Sequence, residues 1–189
     1  MNFSSSKDFE GKVAVITGAG SGFGREFARI GARLGMKLVL ADIQADALDP
    51  VLVEVRLAGA EAIGLLCDVS RPHDVETLAG AALQRFGKIH LAFNNAGVAG
   101  VGGYIWENTE KDWQWVLGVN LWGVIHGIRS FVPVMLRQNE PCHVINTASV
   151  AGLLTPQLLG VYNVSKHGVV AASETLFHDL RTAGARIGV

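Results

Sequence analysis

The segment Tyr162-Asn-Val-Ser-Lys166 puts a phenol and an ammonium four residues apart. On a helix two such residues meet on one face, one turn apart. Free tyrosine titrates near pH 10, and a neighbouring ammonium favours its ionised form. The pair is therefore a candidate for moving a proton. Alone it is also what any helix surface offers. Ser149 and Asn120 stand upstream of it. A serine after a strand is more often a turn residue, and an asparagine within a helix more often a packing residue.

Glycine marks a second kind of chemistry. The chain has 23 glycines in 189 residues, well above the usual share of about 7%. Many fall in Thr17-Gly-Ala-Gly-Ser-Gly-Phe-Gly24 and in Asn94-Asn-Ala-Gly-Val-Ala-Gly-Val-Gly-Gly103. Clustered glycine lets a backbone or a ligand approach where a side chain would collide. The first cluster follows the apolar run Lys-Val-Ala-Val-Ile-Thr-Gly and opens a helical pattern. Backbone N–H groups at a helix start favour a pyrophosphate; a plain tight turn is the other reading. Asp42 ends the next apolar run. A carboxylate there can accept both hydroxyls of an adenosine ribose and repel a 2′-phosphate. Neither Ile43 nor Ser21 supplies a cation to welcome that phosphate. The pattern favours NAD over NADP, with a solvated strand-end Asp42 as the alternative. Asp68, followed by Val69, ends a third run and either meets the adenine or only forms a turn.

Positioning these residues requires strands alternating with helices. Apolar runs predict strands at Lys12–Gly18, Lys37–Asp42, Ala62–Asp68, Ile89–Gly97, Cys142–Ser149 and from Arg186 onward. Between them, helical spacing places Phe27, Ile30 and Leu34 on one face of a first helix closed by Gly35. Pro50 restricts the second helix to the part from Asp49 onward. Ser70 opens the third, with Pro72 in its first turn. Thr109 and Asp112 cap a long fourth helix, whose end Pro133 should kink. A last helix, from Gly160 to Leu180, carries the Tyr162–Lys166 pair. This alternation implies an α/β fold, a doubly wound parallel sheet in three layers. Residues 9–189 read as one domain, and residues 1–8 as a mobile arm. Right-handed crossovers gather the strand ends, so Gly18–Gly24, Asp42, Asp68, Asn95 and Ser149 should converge on one edge.

Bulk properties exclude several classes. Net charge is −1 and no Lys/Arg cluster stands out, which argues against nucleic acid and anionic membranes as partners. No uninterrupted apolar run approaches a membrane span. The start shows no signal-peptide pattern. Cys67 and Cys142 form no metal or disulfide framework and read as small buried groups. No His pair suggests a metal. A reducing cytoplasm is the expected compartment. Trp106, Trp113, Trp115 and Trp122 either wall a pocket or, more commonly for such residues, pack in a core or interface. His167 should point away from the Lys166 face.

Taken together the motifs resemble the short-chain dehydrogenase/reductase family. Thr17-Gly18-x-x-x-Gly22-x-Gly24 is similar to that family's cofactor loop, and Asn94-Asn95-Ala96-Gly97 to its strand-four motif. Asn120, Ser149, Tyr162 and Lys166 match its catalytic tetrad in order. The resemblance spans Phe9 to Val189 and implies a Rossmann fold. It implies cofactor contacts from Thr17, Gly18, Ser21, Gly22, Phe23 and Gly24 in the loop. It extends them to Asp42, Asp68 and Val69, to Asn95, Ala96 and Gly97, and to Tyr162 and Lys166 themselves. It implies hydride transfer between a nicotinamide and a secondary alcohol or ketone, with Tyr162 as acid–base. Ser149 would hydrogen-bond the substrate oxygen, Lys166 the nicotinamide ribose, and Asn120 a water relaying protons from Lys166. Apolar Leu158 and Leu159, after Gln157, suit a hydrophobic substrate. The family also implies a homodimer or homotetramer built on the two long helices. Its usual Pro-Gly stretch, substrate lid and seventh strand would follow Val189, and the lid would set the specific substrate. Alternatives are an NADPH-dependent carbonyl reductase and a catalytically inactive dinucleotide binder.

Overall fold

The computed structural model describes residues 6–189, and all six expected strands are present. They are β1 (Val13–Thr17), β2 (Lys37–Asp42), β3 (Ala62–Leu66), β4 (Leu91–Asn94), β5 (Cys142–Asn146) and β6 (Ile187–Gly188). They pair in parallel in the order β3-β2-β1-β4-β5-β6. The chain runs outward from β1 to β3, then crosses back to lay β4 on the other side of β1. That reversal leaves a crevice beyond the carboxyl ends of β1 and β4, where such sheets bind ligands.

Both faces of β1 are covered, so all five of its residues are buried. Ala14 and Ile16 face α1 (Gly22–Arg33) and α2 (Ala45–Leu57). Val13 and Val15 face α3 (Pro72–Phe86), α5 (Gly123–Gln138) and α6 (Gly160–Thr182). This is one doubly wound, three-layer α/β domain of Rossmann type. Residues 1–5 of the expected arm lie outside the described residues, and Ser6–Phe9 forms a 3-10 turn.

The helices differ from expectation in instructive ways. The buried stripe of α1 is Gly24, Ala28, Gly31 and Ala32, while Ile30 is 43% exposed. Small residues face inward because α1 lies close to the sheet; a Cβ on Gly31 would sit 2.9 Å from Leu38. Helix α2 starts at Ala45 and continues through Pro50. Pro50 and Asp46 are exposed, so water can serve the carbonyl that lacks its intrahelical donor. Ser70 does not cap α3: its N–H and hydroxyl donate to Asp68 Oδ1, and Arg71 holds the cap position.

Thr109 and Asp112 form the expected capping box on α4 (Glu110–Leu117). The long helix is not uniform. Gly118–Trp122 forms a π turn between α4 and α5, while Pro133 lies within α5, which continues to Gln138. The whole Glu110–Gln138 segment is long and apolar enough, by length and composition, to cross a membrane. Half of its most apolar window is buried inside the protein, which is what a core helix requires.

Helix α5 packs on β4 through Gly127. A Cβ there would lie 1.9 Å from Asn94 Oδ1. Asn94 Nδ2 donates to Asn146 Oδ1 at 2.8 Å, and Asn146 Nδ2 to Ser173 Oγ at 3.0 Å. Gly127→Ala should therefore cost about 2 kcal/mol, overpacking and a disturbed buried bond outweighing the helix preference for alanine. Gly80→Ala, where a Cβ meets nothing within 4 Å, should instead gain up to about 1 kcal/mol. Urea unfolding of the two variants against the parent chain checks both signs.

Candidate active site

Thr17, the last residue of β1, holds the crevice together. Its hydroxyl donates to the Phe93 carbonyl at 3.1 Å and accepts from the N–H groups of Asn95 and Ala96 at 2.9 and 3.1 Å. Asn95 returns the favour across the gap. Its Nδ2 donates to the Thr17 carbonyl at 3.0 Å and the Gly18 carbonyl at 3.4 Å, and its Oδ1 accepts from Thr147 Oγ1 at 3.1 Å. The carboxyl ends of β1, β4 and β5 are thus tied by three side chains, those of Thr17, Asn95 and Thr147.

The glycine loop folds tightly against this frame. Gly18 has φ +64°, and a Cβ on it would lie 2.8 Å from Ala96 Cα. A Cβ on Gly24 would lie 2.0 Å from the Gly18 carbonyl oxygen. The start of α1 has neither a side-chain cap from Ser21 nor an acidic residue in its first turn. Its first N–H groups are left for an anion, and a pyrophosphate fits that donor set.

Along the crevice runs a cavity of about 750 Å³. Gly18, Ser21, Gly22 and Phe23 line it from the loop, and Asp42, Asp68 and Val69 from β2 and β3. Asn95, Ala96 and Gly97 line its middle; Ser149, Tyr162 and Lys166 line it from β5 and α6. Thr17, Gly24 and Asn120 do not line it; they shape its walls from behind. Sequence reasoning passed over Gly20 and Thr147; Ile43 and Trp115, read there only as a position without a cation and as one of four tryptophans that either wall a pocket or pack, both line the cavity. Gly20 N–H donates to Asp42 Oδ2 at 2.8 Å, and Gln44 N–H to Asp42 Oδ1 at 3.1 Å. Two backbone donors therefore aim the Asp42 carboxylate while leaving lone pairs for a diol. Gly20 has no room for more: a Cβ would sit 2.8 Å from Ala47 Cβ and 3.0 Å from Asp42 Oδ2. Its signal in the sequence was only its place within the loop. Asp68 both lines the cavity and makes the turn to Ser70.

Lys166 is 4% exposed, and its Nζ donates to the Thr147 carbonyl at 2.8 Å. The same Nζ stands 5.7 Å from the centre of the Tyr162 ring. Asn120 is wholly buried in the π turn. Its Oδ1 accepts from Val98 N–H at 2.8 Å, and its Nδ2 donates to the Val98 carbonyl at 2.9 Å and to Ser165 Oγ at 3.1 Å. Both amide atoms are engaged, and one lone pair of Oδ1 is left to meet a relay water. Ser149 Oγ accepts from Ala151 N–H at 3.2 Å and caps a 3-10 turn at Val150–Gly152.

Nearby candidates are structural. Gln157 and Leu158 are exposed and do not line the cavity. Leu158 has φ +62°, held by its carbonyl accepting from Gly103 N–H at 3.0 Å. Burial first, then Asp74 and Asp68, pushes the Cys67 thiol up to about 12. Burial likewise pushes Cys142 up to about 11. Neither is a reactive thiol. His167 is exposed and its Nδ1 pairs with the Asn163 carbonyl. Among the described residues no cluster of His, Cys, Asp or Glu could hold a metal.

Burial holds the Lys166 ammonium below its ordinary value of 10.5. The folded chain thus sheds this proton more readily than the unfolded chain does. Its stability should rise with pH between the folded value and 10.5, and the charged form carries a cost below that window. An NMR titration of the Lys166 Cε signal should give a midpoint below 10.5; a midpoint at or above it would show that burial does not govern this group.

Comparison with known proteins agrees with this geometry. The family model described as short chain dehydrogenase matches residues 12–189. A CLA biosynthesis dehydrogenase/reductase of Lactiplantibacillus plantarum is 36% identical over 181 residues, covering 96% of this chain and 63% of that protein. A cyclohexanol dehydrogenase of an Acinetobacter strain is 35% identical, with 96% and 72% covered. The crystal structure of a short chain dehydrogenase/reductase from Burkholderia phymatum in complex with NAD has 62% identity and a TM-score of 0.94, with 95% of this chain and 64% of that one covered. An NAD+-bound xylitol dehydrogenase matches at 34% identity and a TM-score of 0.91, with 96% and 68% covered. The chain thus spans roughly two thirds of the length of these relatives. With its matched motifs on one crevice, it belongs to the short-chain dehydrogenase family.

Proposed function

We propose that this chain carries the cofactor site and acid–base centre of an NAD-dependent dehydrogenase or ketone reductase acting on a secondary alcohol or its ketone. One observation carries the reading. Tyr162, Ser149 and the buried Lys166 line the same cavity as the glycine loop and Asp42. Asp42 would hold the adenosine end of a dinucleotide bound there, and Tyr162 and Lys166 would meet its nicotinamide end. NAD-bound relatives and a cyclohexanol dehydrogenase among the matches support the cofactor and the substrate type.

The bound nicotinamide supplies the hydride acceptor. Ser149 Oγ holds the alcohol oxygen, and Tyr162 takes its proton as the carbon gives up hydride. Lys166, anchored on the Thr147 carbonyl, would keep a positive charge beside Tyr162 and so favour the phenolate that must stand ready to take that proton, becoming the phenol as it does. Asn120 is a positioning residue that fixes Val98 and Ser165 around the centre. Asp42 faces the adenosine ribose and disfavours a 2′-phosphate. The exposed apolar residues Trp122 in the π turn, Leu136 on α5, and Val164 and Phe177 on α6 support a homo-oligomer formed on these helices. Two free, buried cysteines are compatible with a reducing cytoplasm.

Tyr162→Phe should lower turnover by about 10²–10⁴-fold with NADH affinity nearly unchanged. Steady-state rates on secondary alcohols, with calorimetric NADH binding, check it; retained turnover would remove Tyr162 from the role. Asp42→Ala should weaken NADH binding by about ten- to hundredfold and narrow the gap to NADPH. An unchanged cofactor preference in that variant would show that selection lies elsewhere.

A further inference from the structure

The loop that follows β3 is held by one turn of α5. Val69 of this loop lines the cavity and is otherwise buried. A Cβ on Gly123 would lie 2.8 Å from Val69 Cγ2, so the helix backbone seats directly on that side chain. His126, on the same helix, is buried, and its Nδ1 stands 2.9 Å from the Val69 carbonyl oxygen. A carbonyl only accepts, so Nδ1 carries the proton and donates it. Residues three apart share a helix face. Gly123 and His126 thus hold one residue by its side chain and by its carbonyl. The preceding π turn supports the next residue, since a Cβ on Gly118 would lie 3.4 Å from Ser70 Cβ.

What is held is a donor. The N–H groups of Cys67, Asp68, Ser70 and Arg71 are spent on the Asp42 carbonyl, Asp74 Oδ2, Asp68 Oδ1 and the Asp68 carbonyl. Among the described residues the Val69 N–H has no partner. Asp68 Oδ1 takes the N–H and hydroxyl of Ser70, which leaves Oδ2 for another donor. A carboxylate oxygen next to an N–H matches the edge of adenine, whose amino group donates beside a ring nitrogen that accepts. Hypoxanthine reverses both, with a carbonyl for the amino group and a ring N–H for the bare nitrogen. Asn120, earlier in the same helical segment, braces Val98 instead. Different side chains therefore support the two ends of the crevice.

We infer that His126 is a positioning residue for the adenosine end, holding Val69 so that its N–H and the Asp68 carboxylate select adenine over other bases. This rests on the dinucleotide site proposed above. Calorimetry compares NADH with reduced nicotinamide hypoxanthine dinucleotide on the parent, His126→Leu and His126→Asn chains. Asparagine carries its amide nitrogen on Cγ, where histidine carries Nδ1, and so keeps the donor. Should His126→Leu not fold, His126→Gln, with its amide one bond too far out, takes its place.

The parent should prefer NADH by about tenfold or more. His126→Leu should weaken NADH by about tenfold and change the hypoxanthine analogue little, so that the preference shrinks. His126→Asn should recover most of it. Equal weakening of both dinucleotides would make His126 merely structural and overturn the inference. So would a preference indifferent to the substitution, or a parent that binds both alike. Turnover of secondary alcohols with NAD is followed in parallel, where KM for NAD should rise in His126→Leu and kcat stay the same. A shifted base preference without turnover in the parent would sink the proposed reaction and leave the role of His126 standing. A parent that binds neither dinucleotide would overturn the cofactor assignment, and this inference with it.

Discussion

Asn95 makes the bonds on which the crevice depends. Its amide nitrogen holds the carbonyls of Thr17 and Gly18, and its amide oxygen takes the Thr147 hydroxyl. Three strand ends that only reach one another through the sheet are thereby joined at their tips. The Thr147 carbonyl in turn anchors Lys166. A path of hydrogen bonds thus runs from the glycine loop, where a pyrophosphate would rest, to the ammonium under Tyr162. Each bond is modest alone, about 1 kcal/mol. Their value lies in geometry, since a shift at one strand end moves both the loop and the lysine.

Lys166 illustrates the cost of such a site. Burial disfavours its charged form, and a fold selected for stability alone would place an apolar residue there. The ammonium is retained where it can face the Tyr162 ring. The π turn has a similar character. Gly118–Trp122 interrupts an otherwise regular helix at the residue whose side chain braces Val98 and Ser165. Such turns frequently mark functional positions. Here the irregularity brings a fully buried amide to bear on the loop after β4.

Much of this was legible from residue patterns, because parallel strands buried on both faces read as apolar runs. The convergence of the glycine loop, Asp42, Asp68, Asn95 and Ser149 followed from topology alone. What escaped was set by tertiary contact. The inner face of α1 is made of small residues, so hydrophobic periodicity pointed to Ile30, which is half in solvent. Pro50 is tolerated because its helix lies exposed at that point. Ser70 found a nearer partner in Asp68 than in the helix start. The role of Gly20 depends on Asp42 and Ala47, both more than twenty residues away. Trp115 was one of four tryptophans with nothing in the sequence to single it out; only the cavity does.

The central claim is that these 189 residues already form a cofactor crevice that selects NAD. Calorimetric titration of the chain with NADH and, in parallel, with NADPH tests it most directly. We expect saturable binding of NADH, at one site per chain, and clearly weaker binding of NADPH. Absence of binding to either nucleotide, or a preference for NADPH, would contradict the assignment of the loop and of Asp42.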